Sequence, residues 1–181
     1  MTAPLDGLTV VEVGQGISAA YCTLMLSSLG ADVLKVEPLR GDETRRMGPF
    51  PGDIPDRERS GHFLSLNRNK RSIALDLDTP TGQDLFRSLV RHANVVVENE
   101  PPGRMDERGI GYEHFAEAQP ALVWTSISPF GQRGEYRDRQ ATEMTLFAHG
   151  GLMVLVGEPD REPLMFQGNP MLHSAGLYAF S

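Results

Sequence analysis

The stretch that most constrains this chain is Val10 to Glu37, VVEVGQGISAAYCTLMLSSLGADVLKVE. Val10, Val11 and Val13 form a β-branched apolar run of buried-strand length. Gly14 and Gly16 then let the backbone turn sharply and let another group approach it closely. Ser18 is placed to cap the following helix, whose apolar side is Ala20, Leu24, Met25 and Leu26 and which stops at Gly30. Ala31 to Val36 reads as a second strand, closed by Glu37. Strand, turn, helix, strand in this order commits the chain to an α/β fold. That fold is a Rossmann-like parallel sheet with flanking helices, and its ligand site lies at the carboxyl ends of the strands.

The remaining segments fit such a sheet. Residues 38–61 are rich in Pro, Gly and charge and read as a long polar excursion, a kind of loop that is usually functional or mobile. Ser72 to Leu77 alternates as a strand, and Thr79-Pro80 opens a helix with Leu85, Phe86, Leu89 and Val90 on one side. Asn94 to Val97 is a short buried strand with Glu98 and Asn99 at its carboxyl end. A short helix over Tyr112 to Ala118 and a strand over Ala121 to Ser128 follow, with Trp124 assigned to the core. After a second polar excursion, Thr142 to His149 reads as a helix. LMVLVGEPDREPLMF suggests two short strands around a turn at Glu158 to Arg161. HSAGLYAFS starts an apolar helix with no cap or polar flank at its end, which predicts that the 181 residues are a piece of a longer protein.

Charge and composition narrow the classes of function. A net charge of −7 argues against a nucleic-acid partner. Two local basic clusters, Arg40 with Arg45 and Arg46, and Arg68 with Lys70 and Arg71, either hold an anionic ligand or form solvated faces. The single cysteine, Cys22, cannot form an intrachain disulfide; within a buried helix it reads as an inert thiol in a reducing, cytoplasmic setting. The N-terminus lacks a signal pattern, no run reaches membrane-spanning length, and no metal site is expected.

Gly14, Gly16 and Ala19 match G-x-G-x-x-A between a strand and a helix, and Glu37 stands where an acid would bind a ribose hydroxyl. On this stretch alone, a dinucleotide docked on the helix N-terminus and a tight turn that merely needs small residues explain the pattern equally well.

The other motifs separate these readings. PLDGLTVVEV, LSSLGADVLKVEPLRGDETRR, LNRNKRSIALDL, VVVENEPPG, GIGYEHFAEAQPALVWTSISPFGQRG and AGLYA occur in this order. Together they resemble the N-terminal part of the class III CoA-transferases, which include formyl-CoA:oxalate and carnitine CoA-transferases and are related to α-methylacyl-CoA racemase. The resemblance covers essentially the whole chain. It implies that residues 1–181 are the N-terminal portion of a large Rossmann-like domain, cut within a helix. It also implies transfer of CoA between carboxylic acids, with acyl-CoA as substrate, no covalently bound cofactor, no nucleic-acid or membrane partner, and interlocked dimers. By the same resemblance Leu75 lies at the adenine end of CoA, Asn99 follows the next strand, and Gly16, Ile17 and Ser18 line the thioester. Arg40, Lys70, Arg71 and Arg104 are the candidate partners of the CoA phosphates.

The pattern departs from the family at the chemistry. The family's nucleophilic aspartate lies four residues before the glycine of the final helix; that glycine is Gly176, so the position is Leu172. Pro163 to Ser181 contains no Asp or Glu, and the adjacent His173 reads either as a group that is acylated or acts as a base, or as a histidine packed at a helix start. The racemase branch pairs its aspartate with a histidine whose position here is Ala141. The arginine that often follows the strand-ending glutamate is replaced by Pro38, with Arg40 two residues on. Glu100 replaces an aromatic, and Glu107, with Arg108 beside it, stands where an arginine is expected. Two further readings therefore stand beside the enzyme: a non-catalytic CoA-transferase-like half of a larger or fused protein, and a dinucleotide-binding Rossmann protein.

Overall fold

The computed structural model describes residues 3–181. Its sheet is built from β1 (Thr9–Val13), β2 (Asp32–Glu37), β3 (Lys70–Ala74), β4 (Val95–Glu98) and β5 (Val123–Ser126), in the order β3-β2-β1-β4-β5. All pairings are parallel, and Val10 of β1 lies between Val33 of β2 and Val95 of β4. The chain winds outward from β1 to β3, then returns to place β4 on the other side of β1. The crevice between the carboxyl ends of β1 and β4 is the switch point at which such sheets bind ligands.

Strand alternation divides the core. Val11 and Val13 face one layer with Val36, Val96, Ile110 and Phe115, which is covered by α3 (Pro80–Val90) through Phe86 and Val90. Val10 faces the other with Val33, Val97, Ala19 and Cys22, covered by α1 (Ser18–Ser28). Outside α1 lies α6 (Pro170–Phe180). Gly176 makes that second layer possible: a Cβ there would stand 2.5 Å from the Ser18 carbonyl oxygen and 3.1 Å from the Tyr21 Cβ. Because α1 is enclosed on two sides, small residues surround it rather than one apolar stripe; Ser18, Ala19, Ala20, Cys22, Thr23, Leu24 and Ser27 are all buried. The remaining helices are α2 (Gly61–Leu66), α4 (Arg104–Glu107) and α5 (Glu143–His149). Among the described residues no helix is long and apolar enough to cross a membrane.

Several local expectations change. Ser18 is the first residue of α1 rather than its cap; Ile17 holds the cap position without a side-chain hydrogen bond. β3 begins and ends earlier than Ser72 to Leu77, and Leu75 and Leu77 turn into the core just past its end. Tyr112 to Ala118 contains only a short 3-10 turn at Tyr112–His114. The two strands expected around Glu158 to Arg161 are absent. Leu152–Leu155 is a 3-10 turn whose Val154 and Leu155 project outward, since these residues pair with no sheet edge. The turn itself remains, with Arg161 N–H donating to the Glu158 carbonyl at 3.1 Å.

Candidate functional site

The site begins with the turn that leaves β1. Gly14 has φ +128°, and a Cβ on it would overlap the Asn99 Oδ1. Asn99, just past β4, takes up that space. Its Nδ2 donates to the Gln15 carbonyl (2.7 Å) and to Ser18 Oγ (3.2 Å), and its Oδ1 accepts from Gln15 N–H at 3.1 Å. The structure thus brings Gly16, Ile17, Ser18 and Asn99 together, with Asn99 clamping the turn across the β1–β4 switch point.

A buried ion network supports the turn from below. Glu12 and Lys35 face each other in register on β1 and β2. Lys35 Nζ lies 2.6 Å from Glu12 Oε1 and 2.9 Å from Asp42 Oδ2, and Lys70 Nζ lies 2.9 Å from Glu12 Oε2. Thr23 Oγ1 donates to Glu12 Oε2 at 2.6 Å. Burial pushes the Glu12 carboxyl up, but the two lysines and these hydrogen bonds outweigh it and hold its pKa at about 2. Burial also acts against Lys35, yet Glu12 and Asp42 keep its ammonium above the ordinary lysine value. Lys70 is held below that value because its burial outweighs its attraction to Glu12. The network reaches the turn at both glycines: Lys35 Nζ is 3.5 Å from the Gly14 carbonyl, and Asp42 Oδ1 accepts from Gly16 N–H at 3.5 Å.

Glu37 does not present a free carboxylate to a ribose. Arg45 grips both its oxygens, at 2.7 and 2.9 Å, and the backbone N–H of Asp42 donates to it at 2.9 Å. Burial alone would raise this carboxyl, but the Arg45 hydrogen bonds and the Asp42 amide bring it below the usual range. Arg45 in turn lies over the Phe63 ring at 3.7 Å. The acid of the dinucleotide-like pattern is therefore spent on folding residues 38–61 back over the sheet.

A cleft of about 510 Å³ opens beside the turn at the carboxyl ends of β1, β2 and β3. Gly14, Gln15, Leu39, Arg40, Leu75 and Asp76 are among its walls, as are Asp78, Glu100 and Arg108, which pair with one another. Of the candidate phosphate partners, only Arg40 lines it. Lys70 is sealed in the buried network, where its Nζ also donates to the Ala20 carbonyl (2.8 Å) and Asn67 Oδ1 (3.1 Å). Arg71 starts from the amino end of β3 and pairs with Asp32 at 2.6 Å, at the end of the strands opposite the cleft. Arg104 pairs with Asp78 and Glu107 on the surface. Arg108, which sequence reasoning noted only as the neighbour of Glu107, is the second guanidinium on the cleft and is held by Asp78 (2.9 Å) and Glu100 (3.1 Å).

Leu172 packs against Ile17, Ala20 and Leu66 at the start of α6. His173 lies edge-on to Tyr21, with ring centroids 4.9 Å apart, and its Nδ1 is 2.9 Å from the Asn169 carbonyl. The acid nearest this point comes from elsewhere in the chain. Glu143, at the start of α5, accepts from Met171 N–H (2.6 Å) and Leu172 N–H (3.2 Å) and so caps α6. Sequence reasoning did not single out Glu143, and local patterning carries no signal for it, because the contact spans 28 residues. The Glu12–Lys35 pair did have a signal: one acid and one base interrupt two apolar strands at positions that pair in register. Cys22 is buried, and burial pushes its thiol up to about 11. Trp124 is half-buried, stacked on Phe115 at 5.8 Å, and packs against the core.

Residues 5–181 match the family model described as CoA-transferase family III. The chain is similar to the succinyl-CoA:mesaconate CoA-transferase of Haloarcula hispanica, at 40% identity over 88% of this chain and 41% of that protein. It is similar to the human succinyl-CoA:glutarate CoA-transferase, at 36% identity over 98% of this chain and 40% of that protein. Among solved structures, a CAIB/BAIF family protein from Brucella suis superposes with a TM-score of 0.91 at 38% identity, over 99% of this chain and 48% of that one. The chain thus spans about 40% of the length of these two curated relatives.

Proposed function

The chain belongs to CoA-transferase family III, and from that premise we propose that it forms the CoA-binding N-terminal portion of the large domain of an enzyme that moves CoA between carboxylic acids. The observation that carries this reading is the continuity of the clamped glycine turn with the cleft beside it. The turn offers backbone and small side chains, while Arg40 brings a guanidinium group to the cleft; that of Arg108 is already held by Asp78 and Glu100. CoA has a matching polarity: a neutral pantetheine arm ending in the thioester, and a phosphate-rich nucleotide at the other end. In this reading the nucleotide lies against Leu75 and Arg40, and the arm runs along Gly14 to Ser18. Guanidinium groups suit phosphates because their planar donors match the phosphate oxygens. The substrates are an acyl-CoA and a carboxylic acid, no cofactor is held covalently, and the setting is a reducing, cytoplasmic one.

A specific observation favours assigning this portion a binding rather than a covalent role. Acyl transfer through an anhydride needs a free carboxylate beside the thioester. Leu172 instead fills an apolar cluster, and Glu143 uses its carboxylate on the α6 amides. The acyl-accepting side chain then comes from a second CoA-transferase-like half of a larger or fused protein. Calorimetric titration of the protein with CoA, succinyl-CoA and NAD tests the reading. Saturable heat with the two CoA compounds and none with NAD is expected; the opposite pattern overturns it.

A further inference from the structure

The helix α1 starts after a glycine turn, a position that ordinarily attracts a diphosphate through its unpaired amides and its dipole. In this chain two acidic side chains already occupy that position, Asp42 neutralised by Lys35 and Glu43 outside the buried network. Asp42 is fully buried, and its Oδ1 accepts from Gly16 N–H at 3.5 Å and from Thr44 N–H at 2.8 Å. Glu43 is exposed and stands over the turn, and a Cβ on Gly16 would lie 2.6 Å from its Oε1. Residues 38–61 are held in this place by the Arg45–Glu37 fork, so the two acids do not drift away from the turn. The second helix start at the site, that of α6, is occupied in the same way by Glu143.

We propose that Glu43, backed by the buried Asp42, is a specificity-determining residue that bars phosphate groups from the glycine turn. It converts a dinucleotide-like loop into a seat for the uncharged arm of an acyl-CoA. Two effects act together. The carboxylate repels a diphosphate at short range, and its side chain fills the space above Gly16 that the diphosphate would enter. A neutral amide-and-thioester chain meets no such repulsion and slides past it, while its phosphates stay at Arg40. The placement of the CoA arm rests on the function proposed above; the exclusion of diphosphates does not.

The test uses the whole protein with two variants, Glu43→Ala and Glu43→Gln, in NADH fluorescence titrations and CoA calorimetry. Glu43 is exposed and outside the buried network, so both variants keep the fold, which circular dichroism checks. Loss of a unit charge beside the phosphates should tighten NADH binding by at least about tenfold in Glu43→Ala. The gain should be smaller in Glu43→Gln, which keeps the bulk. CoA affinity should rise by clearly less than NADH affinity, because in the proposed placement its phosphates lie at Arg40 and not over Gly16. Unchanged NADH binding in both variants overturns the proposal, as does a CoA affinity that rises in step with that for NADH. If CoA binds to none of the three proteins, the CoA reading fails, and the NADH titrations still decide whether Glu43 excludes diphosphates.

Discussion

Replacing Lys35 with methionine probes the buried network that holds the glycine turn. Lys35 is 1% exposed, and both its carboxylate partners, Glu12 and Asp42, are fully buried. In the native chain Glu12 and Asp42 are balanced by Lys35 and Lys70. Lys35→Met keeps the volume and leaves two acids facing one lysine, with Asp42 deprived of its only ion-pair partner among the described residues. Stranding a buried charge in this way costs about 3–5 kcal/mol, a large share of the roughly 5–15 kcal/mol that stabilises an ordinary domain. The loss should depend on pH, with a definite sign. In the native protein Glu12 is held at about 2 against 4.5 when unfolded. Its roughly 3 kcal/mol is therefore present above pH 4.5 and lost as the pH falls towards 2. In the variant the Glu12 carboxyl is no longer held down as strongly, so it protonates sooner and the excess of buried negative charge falls. Urea unfolding, followed by circular dichroism at pH 7 and pH 5, should show a deficit of about 3–5 kcal/mol at pH 7 that shrinks at pH 5. A deficit below about 1 kcal/mol, or one equal at the two pH values, would refute the account of the network.

Other consequences follow from single contacts. Gly176→Val places side-chain atoms where α1 and α6 nearly touch, and should lower stability by at least about 2 kcal/mol in the same unfolding assay. Arg71→Ala removes an exposed ion pair with Asp32 at the amino ends of β3 and β2; stability should move by less than about 1 kcal/mol and CoA affinity not at all. Arg40→Ala, in contrast, should weaken CoA binding about tenfold by calorimetry while leaving the unfolding midpoint unchanged. Cys22, buried with its thiol raised to about 11, should resist a thiol-specific reagent at pH 8 until denaturant is added.

The crossover from Val10 to Glu37 is legible in the sequence because a β-branched run, paired glycines and a second strand leave few alternatives, and the parallel sheet follows from it. The site is legible only where it is local. Gly16, Ile17, Ser18 and Asn99 meet because each flanks a strand end in the sheet the pattern predicts. Lys70 and Arg71 mislead because a basic cluster reveals charge but not direction; one side chain enters the core and the other leaves from the amino edge of β3. Glu37 fits the dinucleotide pattern in spacing, yet Arg45, eight residues on, takes its carboxylate. Ser18 looks like a cap because serine favours that position, but the clamp from Asn99 draws its hydroxyl to another use. The strands expected around Glu158 have suitable residues and no sheet edge to join, and strand formation depends on partners more than on composition.

Acyl mapping tests the central claim, a CoA-binding turn with no acyl acceptor beside it. The protein is incubated with succinyl-CoA, quenched, digested and searched by mass spectrometry for succinylated side chains, with hydroxylamine release to identify activated esters. No hydroxylamine-labile adduct is predicted on any residue from 3 to 181, Glu143 and His173 included, while CoA remains bound. A stoichiometric, hydroxylamine-labile succinyl group on a side chain of this segment would contradict it.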